Sequence, residues 1–280
     1  MRKFYLLMLT LLSAVGAWAQ QTAPTVVARM NELVEHATTN TAIESPDWET
    51  NATGGAVYSF SNGAYIGGIE NEIVLNAVNG DQYLIIAAWV YGQANGCIFG
   101  YGDQSDGFKL NQTGDGLSIT TKGKSDMDGF NAPDYVKANQ WNFVALAIPA
   151  KQNGVTPVKA RYYTRTKDGL VNKDGFWTKD NNVTLNKINK NNNMTDNMTD
   201  PSAESQLFAI GSGNQGGARE SYSGLIANVT ILTYSGLPEN AQVIADLVGP
   251  APTYTVTGAK AALQNRVNEI KSLRGDNPGF

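Results

Sequence analysis

Val158 to Lys167 holds the densest set of side chains in this chain that could do chemistry. Alternate residues of a strand share a face. One face would carry Val158, Ala160, Tyr162, Thr164 and Thr166, and the other Lys159, Arg161, Tyr163, Arg165 and Lys167. Four cations around one ring could hold the sulfate, carboxylate or phosphate groups of an acidic polysaccharide while the ring stacks on a sugar. The same row also reads as a solvated sheet face whose lysines block edge pairing, and this plainer reading is preferred. Exposed aromatics are the other tool of sugar binding. Trp177, in a Gly- and Lys-rich stretch, and Tyr101 and Tyr222, near glycines, are the ring candidates. Trp89 and Trp141 sit in apolar runs and are expected in the core, while Trp48, after Pro46-Asp47, is expected to close one end.

Metal and nucleophile chemistry have thinner support. Asp103 and Asp106 fall in GYGDQSDGF, and Asp126 and Asp128 in SDMDGFN. Oxygen-rich glycine loops suit calcium, but neither has the spacing and terminal Glu of an EF-hand. Asp and Gly are also what tight turns select, so a turn is the preferred reading and no cofactor is expected. Cys97 and His36 are the only cysteine and histidine. Cys97, in Gly-Cys-Ile-Phe, reads as a small buried strand residue, and His36 lies on an expected helix. One of each excludes a histidine-based zinc site and leaves a Cys-His catalytic pair without support.

These side chains must be positioned by a largely β framework. Tyr83 to Tyr91 is almost continuously apolar, as in a strand covered on both faces. Trp141, Phe143, Ala145 and Ala147 alternate with Asn142, Val144, Leu146 and Ile148, which predicts a central strand. Val26, Met30, Leu33 and Ala37 have helical spacing, with Pro24 suited to a first turn. Ala259, Leu263, Val267, Ile270 and Leu273 repeat that period before Gly275 and Pro278, which predicts a C-terminal helix. Lys179 to Pro201, rich in Asn, Thr and Asp, reads as a long surface loop.

The first residues carry an export pattern. Arg2 and Lys3 precede the apolar run Phe4–Leu12, and Ala17-Trp18-Ala19 gives a small-x-small cleavage site. The expectation is a secreted, periplasmic or cell-envelope protein with no transmembrane segment once the signal is removed. Loss of Arg2 and Lys3 would take the formal net charge from -4 to -6. An acidic exported chain argues against nucleic acid as a partner. The expected organisation is a signal at 1–19, an N-terminal helix and linker at 20–45, a β-sandwich at 46–250, and a C-terminal helix and tail at 251–280.

The order of the strand-like segments is more specific than any one of them. AVYSFSNGAYIG, YLIIAAWVYG, GCIFGYG, WNFVALAI, VKARYYT, LFAIGSGN and YSGLIANVTIL follow one another between Gly55 and Leu247. This series resembles the laminin G-like branch of the concanavalin A-like lectin and glucanase superfamily. Ile86-Ala87-Ala88-Trp89-Val90 is similar to that family's "aliphatic, small, small, Trp, Val" strand. Trp141-Asn142-Phe143-Val144-Ala145 is similar to its Trp-His-His-Val-Ala segment with both histidines replaced. Leu237-Pro238-Glu239-Asn240 resembles the short helix that follows its last strands. The resemblance implies an all-β, concanavalin A-like jelly-roll sandwich of two antiparallel sheets. It also implies a module that binds carbohydrate or protein. Hydrolytic members carry Glu-x-Asp-x-x-Glu on one strand; the nearest cluster here, Glu70-Asn71-Glu72, lacks that pattern, and the chain is read as a non-enzyme. Relatives also carry an acidic pair after Gly224-Leu225-Ile226, where a carboxylate assists calcium. Here the pair is Ala227 and Asn228.

Overall fold

The computed structural model describes residues 23–69, 83–102, 107–121, 124–125, 136–149, 158–166, 177–183, 208–212, 221–239, 241–255 and 257–274. In chain order these form β1 (Thr25–Arg29), α1 (Met30–Glu35), β2 (Thr39–Asn40), β3 (Ile43–Glu44), β4 (Trp48–Glu49), β5 (Val57–Phe60), β6 (Ile66–Ile69) and β7 (Tyr83–Tyr91). Next come β8 (Ala94–Gly102), β9 (Gly107–Gly114), β10 (Gly116–Thr121), β11 (Lys124–Ser125), β12 (Trp141–Pro149), β13 (Val158–Thr166) and β14 (Trp177–Val183). The series ends with β15 (Phe208–Ile210), β16 (Gly224–Tyr234), α2 (Gln242–Val248), β17 (Thr253–Tyr254) and α3 (Thr257–Arg274). The segment 1–19 read as an export pattern, Glu70–Glu72, Asp103, Asp106, Asp126, Asp128 and Lys167 lie outside the described residues.

The fold is an all-β jelly-roll sandwich. Among the described residues, the larger sheet runs β14-β13-β12-β7-β16-β5-β3, with β1 also paired to β16. The smaller runs β11-β10-β9-β8-β15-β6-β2, and β4 pairs with β17 as a separate ribbon. Strand parity divides β7 between two cores. Leu84, Ile86, Ala88 and Val90 enter the core between the sheets, while Ile85, Ala87 and Trp89 join a second apolar layer outside. In β12, Val144, Leu146 and Ile148 go inward, while Trp141, Phe143, Ala145 and Ala147 go outward. Such double coverage is what a nearly unbroken apolar strand requires. The outer layer is closed by Ala241, Ile244, Ala245 and Val248 of α2 and its approach, with Trp48 packed against it.

Two expectations about local structure are corrected. The N-terminal segment begins as a strand, not a helix, because Thr25–Arg29 lies along Thr230–Thr233 of β16 in antiparallel register. Only Met30–Glu35 is helical, and Met30 and Leu33 are its buried residues. The segment from Lys179 also starts inside a strand, because β14 pairs residue for residue with β13 from Trp177 to Val183. The C-terminal helix forms as the spacing predicts. Leu263, Val267 and Ile270 are 67%, 37% and 45% exposed along it. Among the described residues no helix is long and apolar enough to cross a membrane.

Tyr222 corrects another expectation. It is fully buried, not an open ring. Its hydroxyl donates to Gln112 Oε1 at 2.9 Å, and Gln112 Nε2 donates to the carbonyls of Gly92 and Gly114 at 3.0 and 2.9 Å. Burial pushes the Tyr222 phenol well up, and burial does the same to Tyr162. Both phenols therefore keep their protons in the folded state after the unfolded chain has lost its own near pH 10. Their contribution to stability should be level below about pH 10 and fall above it, by up to about 1.4 kcal/mol per pH unit for each such tyrosine. Tyr222→Phe should cost about 1–3 kcal/mol at neutral pH by orphaning Gln112 Oε1, and should flatten the alkaline fall. Urea unfolding at pH 7 and pH 11 reads both effects. An unchanged alkaline slope in the variant would contradict this account.

Candidate functional site

In the basic row of β13, the two residues whose side chains are described, Arg161 and Tyr163, are covered. Tyr163 is fully buried in the outer apolar layer, and its hydroxyl donates to the Pro238 carbonyl at 2.8 Å. Arg161 Nη1 donates to the same carbonyl at 3.2 Å and pairs with Glu239 at 3.6 Å, leaving its side chain 14% exposed. Both residues tie the sheet to the segment that leads into α2. Tyr162 and Tyr163 do fall in opposite layers, but strand alternation carries no sign of the chain that passes over one of them. Lys159 and Arg165 are described by their backbone in β13 only, as are Tyr101 in β8 and Trp177 in β14. Cys97 is buried, and its thiol donates to the Phe99 carbonyl at 3.1 Å.

The positions implicated in calcium binding by resemblance can be tested on the residues present. Asn228 sits at φ 54°, at the irregularity where β16 stops pairing with β5 and starts pairing with β1. Its amide oxygen and nitrogen are both buried without a hydrogen-bond partner. That oxygen, Thr50 Oγ1 and the Ala52 carbonyl crowd around Gly55, within 2.5, 2.6 and 3.1 Å of where a Cβ would stand. All three are neutral and none is a carboxylate, so this set does not fit calcium, which favours anionic oxygens. Among the described residues no group of three or more His, Cys, Asp or Glu is placed to hold a metal.

A cleft does form on the outer side of the larger sheet. It encloses about 540 Å³ between the last turns of α2, the 249–253 connector and the loop after β4. That volume falls within the range of small-ligand sites, about 300–1,000 Å³. Trp89 supplies part of its wall from β7, 5% exposed and edge-on to Phe143 at 5.5 Å. Its indole N–H donates to the Gly249 carbonyl at 3.0 Å, which fixes the ring. Gly249, at φ 89°, ends α2 and accepts no side chain, because a Cβ would press on the Ala52 methyl at 2.9 Å. Gln242 and Asp246, one helical turn apart, share a face, and Gln242 Nε2 donates to Asp246 Oδ1 at 2.5 Å. Asn51 and Thr253 add polar groups, and Ala245, Pro250 and Ala251 add apolar surface.

An aromatic cluster abuts the cleft. Trp48 contacts Tyr91, Trp141 and Tyr254 at ring distances of 5.4, 5.2 and 5.2 Å. Tyr254 is 56% exposed and pairs with Trp48 across the β4–β17 ribbon. Trp48, expected to close one end, packs instead against the outer apolar layer. The polar cleft residues were missed because Asn51, Gln242, Asp246 and Thr253 come from three separate segments. No spacing rule links them; only the docking of α2 does.

No family model matches the chain, and no curated protein matches it. Solved structures similar to it include a botulinum neurotoxin serotype C1 binding domain, 12% identical with a TM-score of 0.39, covering 75% of this chain and 47% of that one. Arcelin-5, a lectin-like defense protein from Phaseolus vulgaris, is 8% identical with a TM-score of 0.36, over 70% and 93% of the two chains. An alginate lyase from Chlorella virus is 8% identical with a TM-score of 0.39, over 75% and 100%. The chain spans about half the length of the toxin binding domains it matches. At these identities and TM-scores the likeness carries no argument about function, and the site stands on this chain's own residues.

Proposed function

We propose that this chain is an exported, non-catalytic binding module that recognises carbohydrate in the cleft beside Trp89. The carrying observation is the cleft itself, where amide, hydroxyl and carboxylate groups converge on apolar walls around a fixed indole edge. Side chains of these types suit the mixed donor and acceptor hydroxyls of a sugar. The proposal includes no calcium requirement.

A glycan array on the exported chain, with and without millimolar calcium, tests this directly. Binding should be found in both conditions. Asn51→Ala with Thr253→Ala should weaken it by about tenfold or more and move the melting temperature little, because exposed positions shift stability by within about 0.5 kcal/mol. Glycan binding that the double variant leaves intact would place the site elsewhere. A structural or adhesive role through protein contacts is the second reading. The exposed row Leu263, Val267 and Ile270 on α3 favours it. Capture of protein without any glycan dependence would promote that reading over the first.

A further inference from the structure

We infer that the cleft selects glycans bearing free amino groups, that is, deacetylated hexosamines, over uronic or sulfated sugars. The inference rests on the carbohydrate-binding reading and adds the sign of the ligand's charge.

Among the described residues lining the cleft, Asp246 is the one charged group. Its carboxylate receives Gln242 Nε2 on Oδ1. A carboxylate can accept several hydrogen bonds, so this contact leaves capacity for a ligand. A second carboxylate stands at the margin. Thr253, which lines the cleft, is directly opposite Glu49 in the β4–β17 ribbon, and opposed residues project from the same face. Trp48 and Tyr254 take the other face and pack on each other. Glu49 is exposed and therefore available at the rim.

Among the described residues lining the cleft, no cation offsets these charges. The last turn of α2 contains no basic residue of its own. Arg29 reaches α2 from β1, and its Nη1 donates to the Leu247 carbonyl at 2.8 Å. Arg29 is not among the residues lining the cleft. An anionic sugar would thus meet like charge on entry, whereas an ammonium would gain a charge-assisted hydrogen bond. The basic row of β13, the feature that favoured an acidic polysaccharide, is engaged with Pro238 and Glu239 at Arg161.

Calorimetric titration of the full exported chain with three tetrasaccharides separates the possibilities. The probes are a glucosamine tetramer, its fully N-acetylated counterpart and a uronate tetramer, at about pH 6, where an amine with a pKa near 8 carries its proton. The glucosamine tetramer should bind at least tenfold tighter than the N-acetylated one, and the uronate should bind weakest. Asp246→Asn should remove most of that preference, and Glu49→Gln a smaller part, with unchanged melting temperatures confirming that both variants fold. Equal or tighter binding of the N-acetylated or uronate probe would overturn the charge assignment while leaving a sugar site in place. A preference for glucosamine that survives both substitutions would overturn it too, as attraction to the acidic chain at large. Binding of none of the three, together with a blank glycan array, would overturn the sugar site itself.

Discussion

Tyr163→Ala should cost about 3–5 kcal/mol, as expected for a large side chain truncated in a packed interior. The ring lies in the layer between β13 and the approach to α2, and its hydroxyl bonds Pro238. The loss should lower the melting temperature by roughly 10 °C for a domain of this size. Tyr163→Phe isolates the hydroxyl and should cost only about 1 kcal/mol, because Arg161 still bonds the same carbonyl. Arg161→Ser should fall between them. Its ion pair contributes little, with Glu239 92% exposed, but its stem and carbonyl bond are largely buried. Should Tyr163→Ala melt within a few degrees of the parent and lose affinity for acidic polysaccharides, the basic row would be a binding face after all.

Gly96→Ala should be more damaging. Gly96 holds φ 116°, which L-residues rarely adopt, and a Cβ there would overlap the Ser221 carbonyl and the Tyr222 backbone. The obstruction is backbone, so no side-chain rotation relieves it. The penalty combines conformational strain with displacement of the segment that brings Tyr222 onto Gln112. The expected result is loss of the near-ultraviolet circular dichroism of packed aromatics, or a thermal transition lowered by more than 10 °C, roughly what about 3 kcal/mol or more would produce. Gly114→Ala is the control. Gly114 is also at positive φ, 60°, but a Cβ there meets nothing within 4 Å, so only strain of about 1 kcal/mol applies. If the two variants melt alike, steric contact at Gly96 does not matter.

The framework was legible in the sequence because period-2 patterning records burial directly. β7 and β12 show this best, where alternate residues fall into the two apolar layers as the spacing predicts. Patterning says that a face is covered without saying what covers it. The β13 row therefore looked open, although Leu237–Glu239 crosses it from some 75 positions away. Val26, Met30 and Leu33 misled for a related reason. Their helical spacing is real, but Thr25–Arg29 found an edge of β16 to pair with, and ladder formation overrode a short helical pattern. Tyr222 resembled an exposed loop ring because a glycine stands near it in sequence, whereas Gly224 and the distant Gly96 let the backbone pack closely against it.

The pairing of β1 with β16 also governs how the domain would respond to pulling. Thr25 lies opposite Thr233 and Arg29 opposite Thr230, so the chain enters and leaves this ladder at the same end. Force applied between the segment before Thr25 and the segment after Tyr234 would load the hydrogen bonds one pair after another, beginning at Thr25. Antiparallel strands drawn apart from one end unzip; they do not shear as a block. A tethered copy of this protein would therefore give up its first strand at low force, while β7, held between β12 and β16, stays in place.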